Sequence, residues 1–132
     1  MAYQFSARSR KALDGVHPDL VRVAQRALEI TEVDFTVIEG LRSLEKQRQY
    51  YEQGASRTMQ SYHLRQNTGY GHAVDLYPYF DGSVQVHAMP EKWKAIAAAM
   101  KQAADELSVK ITWGGDWKSF VDMPHFQYEG RI

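Results

Sequence analysis

From Pro90 onward, Trp93, Ile96, Ala97, Met100, Ala104 and Leu107 recur at helical spacing. A helix with one apolar stripe has to bury it, and a chain of 132 residues has room for one core to receive it. The segment PDLVRVAQRALEI, 18–30, repeats the pattern: Leu20, Val23, Ala24, Ala27 and Leu28 share a face, and Pro18 is tolerated in the first turn. The other periodic segments are short, β-branched and aromatic. DFTVIEG (34–40), HAVDLYPY (72–79), SVQV (83–86), VKITW (109–113) and HFQY (125–128) read as strands, with a turn at Asp81-Gly82. Ser43 caps a third helix, LEKQRQYYEQ, that stops at Gly54, and 55–71 reads as a long polar surface loop. These elements do not alternate as βαβ units. The expected fold is α+β, a small, mostly antiparallel sheet with packed helices. Without a repeat, linker or low-complexity tract, residues 1–132 are expected to form one domain.

Charge and composition exclude several function classes. Sixteen basic residues balance sixteen acidic ones, so nothing electrostatic favours nucleic acid or an anionic membrane as partner. The cluster Arg8, Arg10, Lys11 reads as a solvated helix face. The absence of cysteine rules out disulfides, thiolate metal sites and a cysteine nucleophile. MAYQFSARSRK lacks the apolar run of a signal peptide, and no stretch reaches membrane-spanning length. The expectation is a monomer made in the cytoplasm without a signal peptide and without stable membrane association.

Two places can carry chemistry. Asp75 interrupts an apolar strand, sharing a side with Ala73 and Tyr77, and a carboxylate there needs a partner. An arginine or a turn amide would serve; so would a metal, for which small Ala73 leaves room. His125 opens the last strand three residues after Asp122, on the far side of the Gly-bent, aromatic loop WGGDWKSFVDMP. Trp113 and Trp117 flank that bend and read as core packing, with a substrate wall as the lesser reading. Two histidines and a carboxylate suit zinc, and three protein ligands leave a position open for water, the catalytic form of such a site. A carboxylate that is not a ligand, such as Asp122, could then move the water's proton to a leaving amine.

Over nearly its whole length, from HPDLVRVAQRALEI through DFTVIEGLRS and GHAVDLYPY to WGGDWKSFVDMPHF, the chain resembles a family of zinc peptidases. The family includes the VanY-type D-alanyl-D-alanine carboxypeptidases and the bacteriophage L-alanyl-D-glutamate endolysins, and the last block is most similar to the endolysins. The resemblance implies the Hedgehog/D,D-peptidase-like fold and a metal motif Ser-x-His-x-x-Gly-x-Ala-x-Asp with a downstream acid-x-x-His. Gly71, Ala73 and Asp75 match the end of the motif. Asp122 and His125 match the acid and the last histidine, implying a catalytic base and a zinc ligand. Arg42 matches an arginine that faces substrate; a structural salt bridge is the competing reading. Ser61 matches the opening serine and is carried over as substrate-binding.

One part does not fit. The motif's histidine should precede Asp75 by seven positions, where this chain has Thr68, whereas His63 precedes it by twelve. Thr68 as a lost ligand would mean a dead enzyme. His72 lies three residues from Asp75, and odd separation along a strand puts the two on opposite faces. His63 is favoured because Ser61-x-His63 reproduces the motif's first half, with RQNTGY as an outward loop. Lengthening a closed loop this much costs less than the roughly 0.6 kcal/mol of a doubling. His17 and His87 lie outside any motif and read as surface residues. The implied function is a zinc endolysin cutting the L-alanyl-D-glutamate bond of peptidoglycan stem peptides, with zinc on His63, Asp75 and His125. A D,D- or L,D-carboxypeptidase and an inactive peptidoglycan-binding protein remain as alternatives.

Overall fold

The computed structural model describes residues 3–56 and 58–132. Ser6 caps a first helix, α1 (Ala7–Leu13), by accepting the Ser9 N–H at 3.1 Å, and Arg8, Arg10 and Lys11 point to solvent from it. Helix α2 (Pro18–Ile30) follows, with His17 as its N-cap. Strand β1 (Phe35–Glu39) leads through Gly40–Arg42 to Ser43, which caps α3 (Leu44–Glu52) as its sequence requires. Strand β2 (Ala73–Phe80) turns at Asp81-Gly82 into the two-residue β3 (Ser83–Val84), shorter than the SVQV expected. The stripe that dominates the sequence becomes α4 (Pro90–Leu107), followed by β4 (Val109–Trp113), a 3₁₀ turn at Gly114–Asp116 and β5 (His125–Arg131).

The sheet order is β1-β2-β5-β4 with β3 hanging off β2, and every named strand pair is antiparallel. The expected α+β architecture is therefore the one found. Alternation along the central strands divides the sheet into two faces. Val74, Leu76 and Phe126 join Leu20, Val23 and Ala24 of α2 and Ile96 and Met100 of α4 in one core cluster. Full burial of aliphatic side chains of this size contributes about 1.5–3 kcal/mol each. Asp75, His125 and Gln127 fall on the opposite face.

Register does the rest. His125 pairs directly with Asp75 across β2–β5, and Glu39 pairs with Asp75 across β1–β2. An irregularity between Val37 and Glu39 breaks the β1 ladder just before it reaches this level. Three strands thus deliver side chains to one spot on the sheet's open face. Among the described residues no helix is long and apolar enough to cross a membrane.

Candidate active site

Of His63, Asp75 and His125, only His63 is not positioned by a strand. It sits in the 55–71 segment, which runs over the surface for most of its length but turns His63 and Gly71 inward. Three hydrogen bonds hold the residue: its N–H donates to Ser61 Oγ (3.1 Å), its carbonyl accepts from Arg42 N–H (2.8 Å), and its Nδ1 lies 2.8 Å from Gly40 O; Gly71 passes close enough that a Cβ there would sit 3.1 Å from the His63 carbonyl oxygen. A carbonyl can only accept, so Nδ1 carries the proton and Nε2 presents a lone pair. That lone pair faces Asp75 Oδ1 at 3.2 Å.

His125 repeats the arrangement with the nitrogens exchanged. Its Nε2 lies 2.7 Å from Gln127 Oε1 and its Nδ1 lies 3.6 Å from Asp75 Oδ1. The two rings meet edge to face at 5.1 Å. Ligand-type atoms of His63, Asp75 and His125 all fall within 4.8 Å of one another. Each ring spends its outer N–H on an acceptor, so two lone pairs and a carboxylate converge with no donor between them. Such a centre calls for positive charge. Burial alone would push the Asp75 carboxyl up, but the two rings outweigh it and hold it well below the usual carboxylate range. Burial lowers His125, and Asp75 and Gln127 reverse that and raise it. A divalent cation with nitrogen and oxygen preferences fits this place.

The remaining expected residues line the same cleft, about 340 Å³ in volume. Asp122 stands beside the triad with its pKa raised by burial and by Asp75, against the opposing charges of His125, His63 and Arg42. Arg42 is clamped: it bonds Glu39, donates to Gln47 Oε1 at 2.6 Å, lies 3.8 Å from Asp75 Oδ2 and stacks over Tyr50 at 4.7 Å. It is thus both the salt-bridged residue and the cleft-facing one, since it also lines the cavity. Ser61 lines it too. Trp113 is core, as expected, whereas Trp117 lies on the cleft with its ring 5.2 Å from His125. A larger open groove of about 1100 Å³ beside α1 and α2 holds no histidine.

Sequence reasoning missed several supports. Gln47 is the buried residue of α3; its amide donates to Ser56 Oγ (2.9 Å) and Thr58 O (2.6 Å) while its oxygen takes the Arg42 bond. Nothing distinguishes it among the polar residues of LEKQRQYYEQ. Gly40 and Gly114 were passed over as well. A Cβ on Gly40 would run into Ala12 O and sit 2.6 Å from Val16 Cγ2; one on Gly114 would run into Asp122 O and crowd the His125 Cβ at 3.1 Å. The pattern that could have found Gly114 is the expected ligand–base pair folding back over the GG bend.

The spacing problem resolves in space. Arg65 and Gly71 form an antiparallel bridge, Gln66 N–H donates to Tyr70 O (2.9 Å), and Gly69 turns with φ of 88°. The five extra residues are a small outward hairpin that closes on itself. His72 points to the other side, where its Nε2 meets Thr68 Oγ1 at 2.7 Å and its ring packs against His17 and Tyr128. Thr68 and His72 are thus partners of each other, away from Asp75. His17, expected at the surface, is instead half-buried: it caps α2 through Asp19 N–H (3.1 Å) and stacks on Tyr128 at 4.2 Å. The proline after it suggested a helix start, and the cap makes its ring part of the packing. His87 is exposed, as expected.

Comparison with known proteins places the chain in a family. The family model described as phage L-alanyl-D-glutamate peptidase matches residues 1–129. The chain is 34% identical over 122 residues to the L-alanyl-D-glutamate peptidase of Escherichia phage T5, covering 92% of this chain and 87% of the relative. It is 29% identical to the peptidase of the same name from Listeria phage A118, over 97% of this chain and 43% of that longer protein. The crystal structure of the Serratia marcescens L-Ala D-Glu endopeptidase ChiX superposes with a TM-score of 0.85 at 42% identity, over 97% of this chain and 91% of that one. The vancomycin-resistance D,D-dipeptidase VanXYg shares the fold, with a TM-score of 0.51 at 18% identity over 87% of this chain and 51% of that one. The chain belongs to the phage L-alanyl-D-glutamate peptidase family, and it is a peptidase.

Proposed function

We propose that this peptidase is a zinc enzyme that hydrolyses the L-alanyl-D-glutamate bond of peptidoglycan stem peptides. The observation that carries the zinc is the convergence of His63 Nε2, His125 Nδ1 and Asp75 with both outer ring nitrogens already committed. The bond follows from what the relatives are named for. When bound, zinc supplies a Lewis acid and a water that ionises near neutrality.

The chain's own residues account for the rest. Asp122 takes the proton of the attacking water and returns it to the leaving amine; its burial beside Asp75 makes it a stronger base than an ordinary carboxylate. Arg42, immobilised by Glu39, Gln47 and Tyr50, offers a fixed charge to the carbonyl oxygen or a substrate carboxylate. Ser61 Oγ accepts the His63 N–H and keeps its own proton to donate to the peptide. Trp117 walls the cleft beside His125. The enzyme acts as a monomer, made in the cytoplasm and reaching the wall once the membrane is permeabilised.

Digestion of purified peptidoglycan by the zinc-loaded protein, with mass spectrometry of the fragments, tests the reading. New L-alanine C-termini and D-glutamate N-termini are expected. Free D-alanine would indicate a carboxypeptidase, and no cleavage would indicate an inactive wall-binding protein.

A further inference from the structure

The face of β5 that carries His125 continues through Gln127 and Glu129, because alternate residues of a strand share a side. The three side chains are joined in series. His125 Nε2 lies 2.7 Å from Gln127 Oε1, Gln127 Nε2 donates toward Glu129 Oε2 at 3.4 Å, and Thr112 Oγ1 from β4 donates to the same Glu129 oxygen at 2.7 Å. Chemistry assigns a direction to this row. Glu129 can only accept, so it draws the amide's NH₂ end toward itself and leaves the amide oxygen facing the histidine. An amide oxygen can only accept, so the His125 proton is kept on Nε2. Nδ1 is then the nitrogen left with a lone pair, and it is the one that faces Asp75. With the amide reversed, its NH₂ would confront Nε2 and move the proton to Nδ1, where it would stand in the way of a metal.

We infer that Gln127 is a positioning residue for the metal centre: its amide, oriented by Glu129, holds His125 with Nδ1 as the ligand atom. This rests on the zinc reading above and adds to it a residue that neither touches the metal nor belongs to the His–Asp–His motif. His63 uses the backbone carbonyl of Gly40 for the same purpose, so the two rings are locked by different means, and the Gln127 lock can be removed by substitution.

Zinc affinity of the full-length chain, measured by competition with a chromophoric chelator, tests the inference. Gln127→Leu is expected to weaken binding by roughly 10–100-fold, the usual range for loss of an outer-shell partner. Gln127→Glu, which keeps an acceptor in place, is expected to stay close to wild type. Nitrogen-15 NMR of the zinc-loaded protein supplies a readout that a merely structural role would not move. The wild type should show His125 bound through Nδ1 with a slowly exchanging Nε2 proton; Gln127→Leu should lose that protection. Glu129→Ala, at an exposed position, should speed the same exchange, and it decides by that signal if the leucine variant does not fold. Wild-type affinity in Gln127→Leu with an unchanged Nε2 signal overturns the inference while leaving the zinc reading intact. Failure of the wild type itself to bind zinc overturns both.

Discussion

His63 and His72 differ by nine positions in sequence and by a whole sheet face in space. His63 reaches Asp75 at 3.2 Å; His72 turns to Thr68 and the His17–Tyr128 stack. Metal analysis should therefore find stoichiometric zinc lost in His63→Ala and retained in both His72→Ala and Thr68→Ala. Full retention by His63→Ala would sink the ligand set. Asp122→Asn should keep zinc but lower kcat by about 10²–10⁴-fold, the range for a general acid–base residue; a variant with near-wild-type turnover would move the base elsewhere. At this scale the ligand-type residues were legible because they are chemically scarce: there are five histidines and no cysteine. Their supports were not. Gln47 and Gln127 are common polar residues whose importance lies in which atom they turn toward which neighbour.

The strands and the three longer helices were readable from period and caps, and their boundaries moved by three residues at most, the largest shift being the extension of β5 from 128 to Arg131. What periodicity could not show was how the elements are tied together. Asp19, in the first turn of α2, accepts from Tyr128 Oη (2.7 Å) and from Arg131 Nη2 and Nε (3.0 and 3.2 Å) of β5, and it bonds Arg22 as well. Burial would raise its pKa, but Tyr128 and Arg131 reverse that and lower it. With the folded value below the unfolded one of about 3.9, the clamp's stabilisation is present above that pH and is lost as pH falls through the folded value. Asp19→Asn should cost roughly 1–3 kcal/mol at neutral pH. It should also flatten the acid side of the stability profile in urea titrations; an unaltered acid profile would assign the acid sensitivity to other groups. The 65–71 hairpin is the opposite kind of element, closed locally and facing outward. Deleting residues 66–70 restores the seven-residue motif spacing across a bridge that already brings Arg65 beside Gly71. The deleted protein should still bind zinc and release wall fragments; loss of both would show that the hairpin helps to hold His63.

For the molecule as a whole, the centre where β1, β2, β5 and the His63 segment meet should couple metal binding to global stability. Free zinc at a hundred times its dissociation constant contributes about 2.7 kcal/mol, worth roughly 10 °C in a domain of this size. Calorimetry should show Tm falling by that order on chelation in the wild type and not in His125→Ala. The antiparallel α+β architecture followed from elements that do not alternate. The site's location did not, because it depends on a cross-strand register that periodicity leaves open. The crowded glycines bear on how freely this protein can vary. Gly40 carries the carbonyl that orients His63, and Gly114 lies under both Asp122 and His125; neither tolerates even a methyl group. In a library selected for wall cleavage, these two positions should be as invariant as the ligands themselves. At the hairpin tip a Cβ on Gly69 meets nothing within 4 Å, yet its φ of 88° favours glycine or asparagine there, so it is exposed Asn67 that should accept almost any residue. Tolerance to change would then follow the room around each backbone and the torsions it adopts more closely than distance from the reacting atoms.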